Sequence, residues 1–214
     1  MAIRTLEELI DTIGQEYSWR IRELSEFKML VSHPNNSSIR EKVLCRSGVA
    51  LAYSHWEGFV KKTGTYFLEF VANQRHTIKE LEPNFVTLIV RGRIDTASDA
   101  KKYSAFDEVT KYILTNQDSR ARIPTKNVVD TQSNLSTVVL KEILWCLGLE
   151  YSLYEPKEKL INTRLVNQRN HIAHGEHLLI GMDDCLEIID EALSIINCFK
   201  NEIENAAITK KYCK

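Results

Sequence analysis

From Ile39 to Ala72 the chain contains no proline, and Ile39, Val43, Ala50, Tyr53, Trp56, Val60, Phe67 and Val71 return at steps of three, four or seven residues. That spacing keeps them on one face of a helix and predicts a single element about 50 Å long with one packed side. Eight Gly and four Pro in 214 residues are too few for a turn-rich all-β or collagen-like chain. Hydrophobic residues, at 43%, are too many for wholesale disorder, and the length suffices for a real core.

The flanking segments continue the pattern. Thr5 and Glu8 form a capping-box pair that opens a helix running to about Leu30. A turn cluster follows over residues 33–38, where Ser37 or Ser38 can cap the long helix. The middle is less regular. Glu82-Pro83 breaks the pattern, Phe85 to Val90 reads as a short helix or a buried strand, and Ala97 to Leu114 reads as helix. Residues 116–134 are polar and aperiodic, a length of loop that usually has a function or a partner. Helix resumes from Leu135 to Leu147 before Gly148, and again from Pro156 to about Ala173 before Gly175. A last helix starts near Met182, with Asp183 and Asp184 at its positive end and Lys210, Lys211 and Lys214 at its negative end. Its Leu186, Ile189, Leu193, Ile196 and Ile203 form an apolar stripe. The expected architecture is an all-α helical bundle, one domain over residues 1–214, with a helical and loop insertion at about 75–134. Trp19, Trp56, Phe59 and Trp145 are expected in its core.

Lys and Arg number 28 against 29 Asp and Glu, a net charge of −1 that excludes a polycationic coat for nucleic acid or membranes but not a local patch. Met1–Glu8 has no apolar stretch of signal-peptide type, and no run is long and apolar enough to span a membrane. The five cysteines (Cys45, Cys146, Cys185, Cys198 and Cys213) are scattered and include no C-x-x-C pair, so they read as reduced thiols acting as small hydrophobes. A cytoplasmic location is expected, with no cofactor.

One segment carries chemistry. His171, His174 and His177, half of the six histidines, fall within seven residues, beside Arg169 and Asn170. Arginine offers a charged fork suited to phosphate oxygens, and histidine can take and return a proton near neutrality. Together they can run transesterification on RNA: the base activates the ribose 2′-OH, the arginine stabilises the charged transition state, and a 2′,3′-cyclic phosphate results without a metal. On one ideal helix Arg169 and His174 stand about 140° apart in direction and about 7.5 Å along the axis. Termination at His174–Gly175, or a symmetric copy of the segment from a second subunit, would correct their aim. The plain alternative is a polar helix terminus, where His, Asn and Gly are at home. Zinc at His171, His174 and His177 lacks an H-E-x-x-H pattern or a cysteine pair. Arg120, Arg122 and Lys126 are either a solvated loop or an RNA-gripping arm that supplies local positive charge.

Arg169-Asn170-His171-Ile172-Ala173-His174 resembles the R-N-x-x-x-H form of the R-x(4–6)-H signature of HEPN domains, small α-helical bundles found in many defence and toxin–antitoxin ribonucleases. His55-Trp56-Glu57-Gly58-Phe59-Val60-Lys61 resembles a segment of the MAE-like and RiboL-PSP-like branch. The resemblance implies a metal-independent RNA endonuclease, a toxin or anti-phage effector restrained by a cognate antitoxin or partner protein. It implies a homodimer with a composite active site in which Arg169 and His174 form the catalytic pair and Asn170 orients it. Glu57 is the matching polar residue from an earlier helix, with His55 behind it, and His171 stands near the site. A non-catalytic RNA- or nucleotide-binding or dimerisation module is the alternative.

Overall fold

The computed structural model describes residues 3–34 and 37–214. Helix α1 (Leu6–Val31) and the long helix α2 (Ser38–Asn73) are followed by α3 (Pro83–Ala100), α4 (Tyr103–Thr115), α5 (Thr137–Leu147), α6 (Gln168–Ala173) and α7 (Met182–Ile208). Two 3₁₀ turns, Ile78–Glu80 and Glu155–Lys157, and a π-helical segment, Leu160–Asn167, lie between them. Among the described residues there is no strand, only the isolated bridges Thr77–Arg120 and Leu81–Cys213. The bundle is all-α. Within the described residues no helix is long and apolar enough to cross a membrane.

The termini of α1 and α2 are capped as their sequences predict. The Thr5 hydroxyl accepts from Glu8 N while the Glu8 carboxylate accepts from Thr5 N, and Ser37 Oγ accepts from Arg40 N. These bonds satisfy amide donors that a helix start otherwise leaves open.

Helix α2 is the rod of the bundle and packs mainly on α7 and α1. Tyr53, Trp56, Val60, Phe67 and Val71 are buried, but Ile39 and Val43 are exposed, because the first turns of α2 extend past the helices that cover its middle. Trp56 meets Phe199 of α7 edge-on at 6.1 Å, and Phe199 also meets Phe59 at 6.4 Å. Trp19 and Trp145 are not core: they are 45% and 48% exposed. Both stand on amphipathic helices, where spacing alone does not separate the buried stripe from its margin. The α7 stripe does pack, with Ile189, Ile196 and Ile203 fully buried.

The middle of the chain differs from its sequence reading. Phe85 to Val90 belongs to α3, a helix started by Pro83, and is not a strand. The expected helix over 97–114 is broken at Lys101, whose left-handed backbone (φ 52°) turns the chain between α3 and α4. These two helices form a hairpin with its own small cluster of Val90, Ala97 and Val109. Leu135 precedes α5 as a buried loop residue, and Pro156 opens a 3₁₀ turn rather than a long α-helix.

Residues 116–136 are laid along α2. Ala121 N donates to His76 O at 2.8 Å, and Ile78 N to Ser119 O at 3.1 Å. Ala121, Ile123, Val129, Thr131 and Leu135 are buried beneath the segment. These anchors replace the periodicity that the sequence lacks.

Gly48 stands where α1 and α7 close on α2. A Cβ there would lie 2.8 Å from Cys185 Sγ and 2.9 Å from Phe27 Cε1, so any larger side chain pushes the helices apart. Gly48→Val is expected to lower the free energy of unfolding by about 1–3 kcal/mol in urea titrations. An unchanged midpoint would show that the crossing accommodates a side chain.

Candidate functional site

The π-helical segment sets the phase of the helix that follows it. Leu160 and Ile161 are buried, and so are Leu165 and Val166 five residues later, the i to i+5 relation of a π turn. Arg164 on this segment pairs with Glu187 at 2.7 Å and Glu191 at 3.0 Å, which fastens it to α7. Burial of the apolar pairs and these ion pairs, with a third to Asp184 at 3.7 Å, hold a backbone form that is rare in isolation.

Helix α6 then delivers Arg169 inward. Its Nη2 donates to Ser133 O at 2.9 Å and to Asn134 Oδ1 at 3.3 Å. Its guanidinium carbon lies 4.0 Å from the centroid of the Tyr53 ring, a cation–π contact with α2. Gln132 and Ser133 are both left-handed (φ 52° each), a conformation that costs non-glycine residues about 1–2 kcal/mol apiece. This turn aims the Ser133 carbonyl and the Asn134 amide at Arg169. Asn170 reaches the same Asn134 Oδ1 at the outer limit of a hydrogen bond, 3.5 Å.

Tyr53 is shared by all of these groups. Its hydroxyl accepts from Leu135 N at 2.8 Å, fixing the end of the loop against α2. Burial pushes the phenol above its ordinary pKa and Glu57 adds to that, while the Leu135 amide and Arg169 oppose it. Glu57, one turn along α2, is half-buried, and its Oε1 has no hydrogen-bond partner; neither Lys61 nor Arg169 forms an ion pair with it among the described residues. Arg169 Nε and Gln168 Oε1 are likewise buried without partners. Glu57, Gln168 and Arg169 thus each carry a buried polar atom without a partner, which a folded core normally avoids.

His174 lies at the exposed C-terminal cap of α6. Helix α6 ends at Ala173, and Gly175 (φ +74°) closes it: Gly175 N donates to Ile172 O at 3.1 Å and Glu176 N to His171 O at 2.9 Å. This double bond is a Schellman motif, and it places His174 at the cap. The His174 side chain is exposed and makes no hydrogen bond or ion pair among the described residues. His171 pairs with Glu176 and is also exposed. Arg169, Asn170 and Asn134 are thus brought together, and His174 stands at the far end of the same short helix with no contact to Arg169. His177 is exposed and borders a cavity of about 280 Å³ with Ile39, Val43 and Leu179.

His55 does not back Glu57. It faces α1, with Nε2 2.7 Å from the Glu23 carboxylate and its ring 5.1 Å from Trp19. Arg120, Arg122 and Lys126 are exposed on the loop upstream of the Ser133–Asn134 turn. Among the described residues, no three His, Cys, Asp or Glu side chains gather as metal ligands. The roles of Tyr53, Ser133 and Asn134 were missed from the sequence. Tyr53 looks like any core aromatic, and nothing local links it to an arginine more than a hundred residues away. The five-residue spacing of Leu160/Leu165 and Ile161/Val166 was the available signal for the π segment.

A family model described as RiboL-PSP-HEPN matches residues 15–205. The chain belongs to this HEPN family, and its all-α bundle is that family's helical fold. No match was found among curated proteins or among solved structures.

Two outcomes follow from this geometry. Tyr53→Phe keeps the ring under Arg169 but leaves the buried Leu135 amide without its acceptor, and should cost about 1–3 kcal/mol in chemical denaturation. Burial, followed by Arg20, holds the His55 pKa below its ordinary value against the pull of Glu23. The unfolded chain therefore binds the proton first, and stability is lost as pH falls through the unfolded value of about 6.5 toward the folded one. Unfolding curves at pH 7 and at about pH 5 should differ less for His55→Gln than for the wild type.

Proposed function

We propose that the protein is a metal-independent endoribonuclease acting through Arg169 and His174. The observation that carries this reading is the ending of α6: a base-competent imidazole, exposed and unpartnered, sits five residues after an arginine on a helix closed by Gly175. Membership of the HEPN family supports it.

In this mechanism His174 takes the proton of a ribose 2′-OH, and the 2′ oxygen attacks the adjacent phosphorus. The bond to the 5′ oxygen breaks, that oxygen leaves with the proton returned by the imidazolium, and a 2′,3′-cyclic phosphate remains. Arg169 stabilises the charge that grows on the phosphoryl oxygens, and Asn170 orients the arginine through Asn134. The separation of Arg169 and His174 within one chain is met by a homodimer, in which each active site combines residues of two copies. The exposed apolar residues Ile39, Val43 and Leu179 beside the motif end fit such a contact. A toxin or anti-phage effector held in check by an antitoxin or partner protein is the role that suits this chemistry.

A second reading has its own support. Arg169 is already engaged by Ser133, Asn134 and Tyr53, as a structural arginine would be. That favours an RNA- or nucleotide-binding module without turnover. Digestion of RNA with end analysis separates the two. His174→Ala is expected to lower cleavage by about 10²–10⁴-fold with the fold intact, and Arg169→Ala by at least about 10²-fold. Chelator should leave the wild-type rate unchanged. Binding of RNA by the wild type without cyclic-phosphate ends would select the non-catalytic module.

A further inference from the structure

Two cavities adjoin along α2, away from the motif helix. One, of about 560 Å³, is bordered by Glu69, Asn73, Arg120, Arg122 and Thr125 among others. The next, of about 360 Å³, is bordered by Lys61, Thr65, Glu69, Thr125, Lys126 and Asp130. Glu69 and Thr125 belong to both, so the two form one trough between α2 and the 116–136 loop. Its α2 wall continues the ridge of the candidate site: Tyr53, Glu57, Lys61, Thr65, Glu69 and Asn73 follow one another at four-residue steps. From Glu57 to Asn73 that ridge rises about 24 Å.

Four cations line the trough. Lys61, Arg120, Arg122 and Lys126 are all exposed, and none forms an ion pair among the described residues. Two carboxylates share the trough. Asp130 is occupied in part by Gln132 N at 2.9 Å, and Glu69 lies between the two cavities on the α2 side. In a bound strand Glu69 would repel phosphates toward the cationic rim and offer its oxygens to exocyclic amines of bases turned toward α2.

We propose that this trough is the path of a single-stranded RNA leading to the Arg169–His174 site, gripped through its phosphates by Lys61, Arg120, Arg122 and Lys126. The proposal rests on the RNA reading above and adds to it a polarity of approach: the strand lies along α2, on the side of the loop. Unpaired cations on a groove wall hold a backbone with little regard to sequence, and each contact contributes to the salt dependence of binding. A chain of net charge −1 can thus bind RNA by concentrating free cations along one groove.

The test uses the full chain and a fluorescently labelled, unstructured single-stranded oligoribonucleotide of about 12 nucleotides, read by anisotropy between about 50 and 200 mM salt. The variant Lys61→Gln/Arg120→Gln/Arg122→Gln/Lys126→Gln should bind roughly tenfold or more weakly, with a log–log salt slope shallower by about 3. A control with equal charge loss on the α3–α4 hairpin, Arg91→Gln/Lys101→Gln/Lys102→Gln/Lys111→Gln, should bind as the wild type does. Single-stranded DNA of the same length should lose affinity by the same factor, because the grip is on the backbone. Wild-type affinity in the groove variant, equal loss in the control, or no binding by the wild type overturns the proposal.

The nuclease reading is judged separately. Cleavage of a dinucleotide, too short to reach from the Arg169–His174 site into the trough, should be equal in the wild type and the hairpin control, which reads the chemistry apart from the groove. A wild type that cuts no RNA but loses binding with the groove cations refutes the nuclease and keeps the path. One that cuts RNA while the groove variant binds normally does the reverse.

Discussion

The contact between Arg169 and the Tyr53 ring joins three parts of the molecule that are otherwise separate. Tyr53 is packed in the bundle through α2, its hydroxyl holds the loop at Leu135, and its ring supports the guanidinium delivered by α6. A cation set over a ring in a desolvated site gains more than one in water, and the ring's plane fixes where the guanidinium lies. The loop turn at Gln132–Ser133 is strained, and its orientation is fixed by the arginine it faces. The position of the loop therefore depends on the motif helix, and the arginine's rotamer on the loop.

This interdependence explains what was and was not legible in the sequence. Helices α1, α2 and α7 follow from their apolar spacing, helped by the caps at Thr5 and Ser37, although α2 is packed on more sides than the single stripe predicts. Gly148 and Gly175 do end their helices in the left-handed region, where glycine has no steric penalty. The α3–α4 break was hidden because Lys101 adopts that region without being glycine. The π segment was hidden for another reason: a reading at 3.6 residues per turn passes through Leu160–Asn167 and predicts the wrong faces beyond it.

For the site, Arg169, Asn170 and His174 stand out by residue type and spacing, and the structure places them on one short helix and its cap. Their surroundings were not legible. Ser133 and Asn134 come from an aperiodic loop held by backbone hydrogen bonds, which any sequence can make. Glu57 stands out in the sequence as a polar residue of the matching helical segment, but nothing there shows that its Oε1 is buried without a hydrogen-bond partner. A buried polar atom without a partner is invisible to pattern reading because the pattern records residues, not vacancies in their bonding.

The π segment also governs how the length of this chain can vary. Each residue added to or removed from a helix rotates everything beyond it by about 100°. One residue lost between Leu160 and Asn167 would turn Arg169 away from Tyr53 and spoil the fit of α6, even if every side chain of the motif were retained. The turn at Lys101–Lys102 has no such lever, since only the α3–α4 hairpin depends on its length. Related chains can therefore differ freely in length at the hairpin tip, whereas the stretch ahead of the motif must keep its residue count.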